Sequence, residues 1–128
     1  TVRAGKSRAE AILEGDELDT TQHFALFDPD GDLLGSVSMF LRNASQSDLS
    51  PAYQLRAMGT HPDRQGQGLG RLLVEGVVKK LREQGCKLIW CNARSHVLGF
   101  YERCGFEIVG PEFEVGVYGP HRVGLLEL

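Results

Sequence analysis

The apolar positions change their spacing along the chain, and each change marks an element. His23 to Phe27 reads as a strand, "DPDGD" at 28–32 puts proline and glycine in turn positions, and Leu33 to Leu41 follows as a second strand. Residues 23–41 therefore read as a hairpin. Before it, residues 1–20 are polar, with a short helix expected around Ser7 to Leu13 and an acidic run of Glu14, Asp16, Glu17 and Asp19. After it, "RNASQSDLSP" at 42–51 reads as a polar loop, and "AYQLRAMGTH" alternates as a third strand that Pro62 ends.

From Gly68 the period becomes helical. Leu69, Leu72, Leu73, Val77 and Leu81 share one face, Lys79, Lys80 and Arg82 sit near the end, and Gly85 supplies a stop. "CKLIWCN" at 86–92 is a continuous apolar run, as a buried strand requires. Ser95 is expected to cap a short helix carrying Val97, Leu98, Phe100, Tyr101 and Cys104, which Gly105 breaks. Phe106 to Val109 begins another strand. Beyond Gly110-Pro111, "EFEVGVY" and "HRVGLLEL" are expected to form the closing strands. The order predicts an α/β fold, a mixed sheet with helices packed on it.

A chain of 128 residues is expected to form one domain over 1–128. Its net charge of −3 argues against a general nucleic-acid binder. No run approaches the ~20 apolar residues of a membrane span, and no signal-peptide core opens the chain. Cys86, Cys91 and Cys104 are odd in number and lack C-x-x-C spacing, and His23, His61, His96 and His121 are scattered, so no metal site is expected. Reduced thiols in a cytoplasmic setting are the plain expectation. The alternative is a nucleophilic Cys91 with a histidine base, for which no local signature exists.

The stretch "RQGQGLGRLL" at 64–73 places glycines 66, 68 and 70 at the mouth of the predicted helix. A glycine-rich turn into a helix leaves several N–H groups unpaired at the positive end of the dipole. Such a turn accepts phosphate, because side chains are missing where the anion must approach the amides. A tight turn that needs glycine for its dihedrals alone would want one glycine, not three. A P-loop would need Gly-Lys-Ser/Thr, and Gly70 is followed by Arg71 and Leu72. A dinucleotide fingerprint would need glycine where Arg71 stands and an acid about 20 residues on.

"QGQGLG" at 65–70 resembles the Q/R-x-x-G-x-G/A signature of the GNAT superfamily of acyl-CoA-dependent N-acyltransferases. "LRAMGTHPDRQGQGLGRLL" sets a strand and a His-Pro boundary before it, and "GFYERCGFEIVG" resembles the family's aromatic-Tyr-x-x-x-Gly-Phe passage from helix to strand. The resemblance spans residues 22–128, and the tail "GPEFEVGVYGPHRVGLLEL" is similar to a small bacterial branch. It implies a mixed, mostly antiparallel central sheet flanked by helices, with splayed central strands. It further implies acetyl-CoA as co-substrate, no metal, and a small-molecule or peptide amine as acceptor. A homodimer is compatible with it.

The resemblance also assigns roles. The amides of Gln65, Gly66, Gln67, Gly68, Leu69, Gly70 and Arg71 would hold the pyrophosphate, and the strand edge at Met58, Gly59 and Thr60 would pair with pantetheine. An N–H near Met58 or Gly59 would stabilise the oxyanion. Tyr101 corresponds to the general-acid tyrosine: a phenol titrates near ~10, above a thiol at ~8.5, so it stays protonated and can donate to the leaving sulfur. Tyr101 otherwise reads as a core aromatic with a solvated hydroxyl, and Phe100 reads as core.

Two departures stand out. The family's pantetheine-contacting asparagine, seven residues before the tyrosine, is Arg94 here; Asn92 takes over that contact or caps the strand end. The segment before His23 is short where the family has a strand and helices, so either upstream residues are absent or the acceptor site is unusually open. The general base stays open among His61, His121, Glu112 and Glu114, and Arg71 and Arg103 are candidates to meet the adenosine phosphate. Three readings follow: an acetyl-CoA-dependent N-acetyltransferase, a non-catalytic acyl-CoA-binding or regulatory domain of the same fold, and an unrelated phosphate-binding α/β protein. Slight overall acidity leans toward a cationic acceptor but decides little.

Overall fold

Asp28 explains where the first hairpin turns. Its carboxylate, 1% exposed, accepts hydrogen bonds from the backbone N–H groups of Asp30 and Asp32, both at 2.9 Å. This is an Asx-type turn made by the residue chemistry of "DPDGD" itself. It joins β2 (Thr21–Phe27) to β3 (Leu33–Leu41), as the sequence predicts. The computed structural model describes residues 12–18, 21–60 and 68–128, and for 12–18 and Thr60 the backbone alone.

Ahead of the hairpin lies β1 (Ile12–Leu18), antiparallel to β2 from Ile12–Phe27 to Leu18–Thr21. The expected helix around Ser7 to Leu13 is thus corrected at its end. Ile12 and Leu13 are strand, because β2 offers them a backbone edge to pair with; residues 7–11 lie outside the described residues. The acidic residues 14, 16 and 17 belong to the same strand.

Among the described residues, β4 (Ala52–Thr60), β5 (Leu88–Arg94), β6 (Glu107–Glu114) and β7 (Pro120–Glu127) complete a seven-stranded sheet in the order β1-β2-β3-β4-β5-β7-β6. All neighbours are antiparallel except β4 and β5, which run parallel. That pair needs a crossover, and α1 (Leu69–Glu83) makes it.

Strand alternation divides the side chains between two faces. On one face Phe24, Val37, Met39, Ile89 and Cys91 meet the apolar stripe of α1, Leu69, Leu73, Val77 and Leu81. Leu73 and Leu81 have no exposed surface, so truncating either to alanine costs about 2–5 kcal/mol. Of the positions read from the period, Leu69, Leu73, Val77 and Leu81 are buried and Leu72 is half-buried, while Val74, which the spacing does not single out, is buried with them. At the far end of α1, Gln22 donates to the Tyr53 hydroxyl at 3.0 Å and to Gln84 Oε1 at 2.7 Å, while Gln84 donates back at 3.1 Å. Gly85, at φ +87, closes the helix: its N–H reaches the Arg82 carbonyl and the Cys86 N–H that of Leu81.

On the opposite face, Leu88 and Trp90 are covered by residues 42–51 through Ala44 and Leu49, and the Trp90 indole donates to the Arg42 carbonyl at 2.7 Å. Beyond Trp90 that cover stops, and Asn92 and Arg94 are exposed.

The helix after β5 differs from expectation in its start. Ser95–Val97 forms a 3-10 turn, α2 runs Leu98–Arg103, and no side chain caps either. Ser95 instead donates its hydroxyl to Glu112 at 2.7 Å, a partner that the neighbouring sheet supplies. Gly105, at φ +100, ends α2 as predicted.

Gly110-Pro111 does not divide two strands. β6 passes through it on a bulge between Val109 and Phe113, where proline at an edge strand leaves no ladder bond unmade. Arg122 pins the bulge, donating from Nε and Nη2 to the Gly110 carbonyl at 3.0 and 2.7 Å. "EFEVGVY" therefore ends as strand at Glu114, and Gly116–Tyr118 is a 3-10 turn.

Candidate functional site

β4 and β5 pair over only three residues, Ala52–Leu88, Tyr53–Ile89 and Gln54–Trp90. Past that point β4 stays bonded to β3 and β5 to β7, so the two central strands splay. A bulge against β3 at Ala57, φ +55, turns β4 further. The splay opens a cavity of about 850 Å³. Among the described residues, β4 contributes Ala57, Met58 and Gly59 to it, and β5 contributes Asn92, Ala93 and Arg94. The expected splay is present, and it arises where ladder bonds between β4 and β5 end.

The start of α1 faces the same cavity through Gly68, Leu69, Gly70 and Arg71. Gly68 is the N-cap at φ +75, with no side-chain cap and no acidic residue in the first turn. The first bond of the helix is Leu72 N–H to the Gly68 carbonyl at 3.0 Å. The N–H groups of residues 69–71 therefore have no acceptor within the helix. A Cβ on Gly68 would meet nothing within 4 Å, so the glycine answers to its dihedral and leaves open space before the amides. Leu69 sends its side chain into the core, and Arg71 pairs with Glu75 at 3.4 Å. Gln65, Gly66, Gln67 and His61 lie outside the described residues, and for Thr60 only the backbone is described.

Tyr101 borders the cavity from α2. Its ring packs edge-on against Phe100 at 5.1 Å and Phe106 at 5.4 Å. No hydrogen-bond partner meets its hydroxyl among the described residues, and none of their buried side-chain oxygens lacks one, so the hydroxyl opens onto the cavity. Burial, then the nearby thiols of Cys91 and Cys104, push its phenol above the ordinary value. It stays protonated at neutral and mildly alkaline pH. Phe100, expected in the core, is half-buried and borders the cavity as well.

The thiols are poor nucleophiles here. Cys91 is 1% exposed and burial pushes it up to about 12; burial likewise raises Cys86 and Cys104. Among the base candidates, His121 reaches the cavity, 7% exposed, with Nδ1 2.9 Å from the Gly119 carbonyl. A carbonyl can only accept, so Nδ1 is the donor in this contact, which makes Nε2 the accepting nitrogen of the neutral ring. Glu112 and Glu114 are exposed and do not border the cavity among the described residues, whereas Arg71 and Arg103 do. Ala57 shows no sign in the sequence of its positive φ.

The family model for the acetyltransferase (GNAT) family matches residues 3–106. The chain belongs to that family. It is an acetyltransferase, and the described residues from β1 onward carry the fold of that family. The uncharacterised N-acetyltransferase YitI of Bacillus subtilis (strain 168) is 30% identical over 122 residues, covering 95% of this chain and 81% of that protein. Mycothiol acetyltransferase of Propionibacterium freudenreichii is 30% identical over 105 residues, 75% of this chain but 34% of that longer protein. A Bacillus subtilis acetyltransferase solved with CoA superposes with a TM-score of 0.71 at 16% identity, covering 92% of this chain and 99% of that one. Spermidine N-acetyltransferase of Vibrio cholerae, solved with CoA and spermine, gives 0.68 at 19% identity, over 85% and 66%. These last two likenesses speak to the fold. No helix among the described residues is long and apolar enough to cross a membrane.

Proposed function

We propose that the protein is an acetyl-CoA-dependent N-acetyltransferase that transfers acetyl to a primary amine by direct attack on the thioester. The observation that carries this is one cavity joining three features: uncapped amides at the start of α1, an unpaired stretch of β4, and the Tyr101 hydroxyl. The amides of Gly68 to Arg71 suit a diphosphate, and family resemblance extends that cradle to Gln65, Gly66 and Gln67. Met58, Gly59 and Thr60 would pair with the pantetheine arm as an added strand, and Asn92 faces it across the splay.

The chemistry divides between two groups. The acceptor nitrogen bonds to the acetyl carbonyl carbon, the C–S bond breaks, and Tyr101 gives its proton to the departing sulfur. The proton lost by the nitrogen goes to His121 Nε2, and the Gly119 carbonyl then steadies the imidazolium through Nδ1–H. Calorimetry with CoA and thiol release with a panel of amines test the reading. CoA binding with thiol release supports it. Binding without release from any amine favours the non-catalytic reading, and no binding removes both.

A further inference from the structure

Resting on that reading, we infer that the acceptor is a primary amine that also carries a carboxylate, and that Arg94 holds it. The two sheet faces give the first step. Tyr101 and the start of α1 border the cavity from the helix-covered face, where Ile89, Cys91 and Ala93 also point. The alternate residues of β5, Trp90, Asn92 and Arg94, point the other way, and register sets Arg94 opposite His121 on β7. An amine that must meet a thioester lying in the splay enters from the face that the helices of the described residues leave open. Arg94 and His121 stand there.

Charge gives the second step. The chain is acidic overall, at −3, yet its cavity is lined among the described residues by Arg71, Arg94, Arg103, His96 and His121 and by no Asp or Glu. Arg71 and Arg103 belong to the helices, on the diphosphate side. Arg122 is spent on the Gly110 carbonyl, and Glu112 is held by Ser95. Arg94 is different: its guanidinium lies 5.4 Å over the Tyr118 ring and has no carboxylate partner among the described residues. Across the splay, Arg56 of β4 lies 5.2 Å over Phe40, likewise without one. Stacking orients a guanidinium and leaves its N–H fork free for two carboxylate oxygens. A polyamine would bring positive charge against the same fork. Local sign, not net charge, selects the acceptor.

The test uses matched acceptors: amino acids with the carboxylate at increasing distance from the amine, their carboxamides, and spermidine. The expected result is kcat/KM at least ~10-fold higher for the best amino acid than for its carboxamide, about 1.4 kcal/mol. Arg94→Gln should bring that ratio toward one, and Arg94→Lys should restore part of it. A preference for the carboxamide or for spermidine overturns the inference, as does a ratio that Arg94→Gln leaves unchanged. Turnover of neutral or cationic amines alone would leave acetyl transfer standing while removing the carboxylate. Failure of every acceptor with CoA bound would instead remove the catalytic reading, and this inference with it.

Discussion

Replacing Tyr101 with phenylalanine removes one oxygen and keeps the ring. That ring is locked edge-on between Phe100 at 5.1 Å and Phe106 at 5.4 Å, contacts that phenylalanine reproduces. The hydroxyl has no partner among the described residues, so its loss strands no buried group. Folding stability should therefore change by no more than about 0.5 kcal/mol. A positioned general acid is worth roughly 10²–10⁴ in rate. The leaving thiol, near ~8.5, departs tolerably as a thiolate, which puts the expected loss at the low end, about 100-fold or 2.7 kcal/mol on the barrier.

The pH dependence sharpens the test. Burial raises the phenol above its usual value, so the proton is in place from pH 6 to 9, and the ratio of wild-type to variant kcat should stay flat across that range. The assay is thiol release at saturating amine, beside CoA calorimetry and thermal melting. Unchanged kcat, or a ratio that fades toward pH 9, would refute the acid role. A fall in melting temperature would assign the effect to packing instead.

Gly68→Ala should cost about 1–2 kcal/mol through its φ of +75 alone, since no atom lies within 4 Å of the new Cβ; thermal melting would show it as a drop of several degrees. Gln22→Ala should lower the urea-derived stability by about 1–2 kcal/mol by breaking the exchange with Gln84, while CoA affinity, which the proposed function sets at the other end of α1, holds. The buried Cys91 thiol makes the fold alkali-sensitive. Its folded value of about 12 exceeds the usual 9.0, so between those pH values the unfolded chain binds fewer protons and stability falls as pH rises. The slope is at most about 1.4 kcal/mol per pH unit, and Cys91→Ala should flatten the denaturation midpoints measured between pH 8 and 10.

Much of this molecule was legible from residues close together in the chain. Asp28 makes its own turn, α1 displays its stripe at helical spacing, and Gly85 and Gly105 stop their helices at positive φ, because these features depend on neighbours a few positions away. Gly68, directly before α1, has no side chain to cap the first amides of the helix, for the same reason. What local pattern could not decide is where strands stop pairing. The splay exists because β4 and β5 exchange bonds over three residues and then follow β3 and β7. β1 is strand because β2 offers an edge, and β6 continues past Gly110-Pro111 because Arg122 holds the bulge. His121 and Arg94 lie far apart in sequence, and only antiparallel register sets them opposite each other on the open face. Short-range geometry is written in adjacent residues; the site's two-sided character comes from partners that meet only once the sheet has formed.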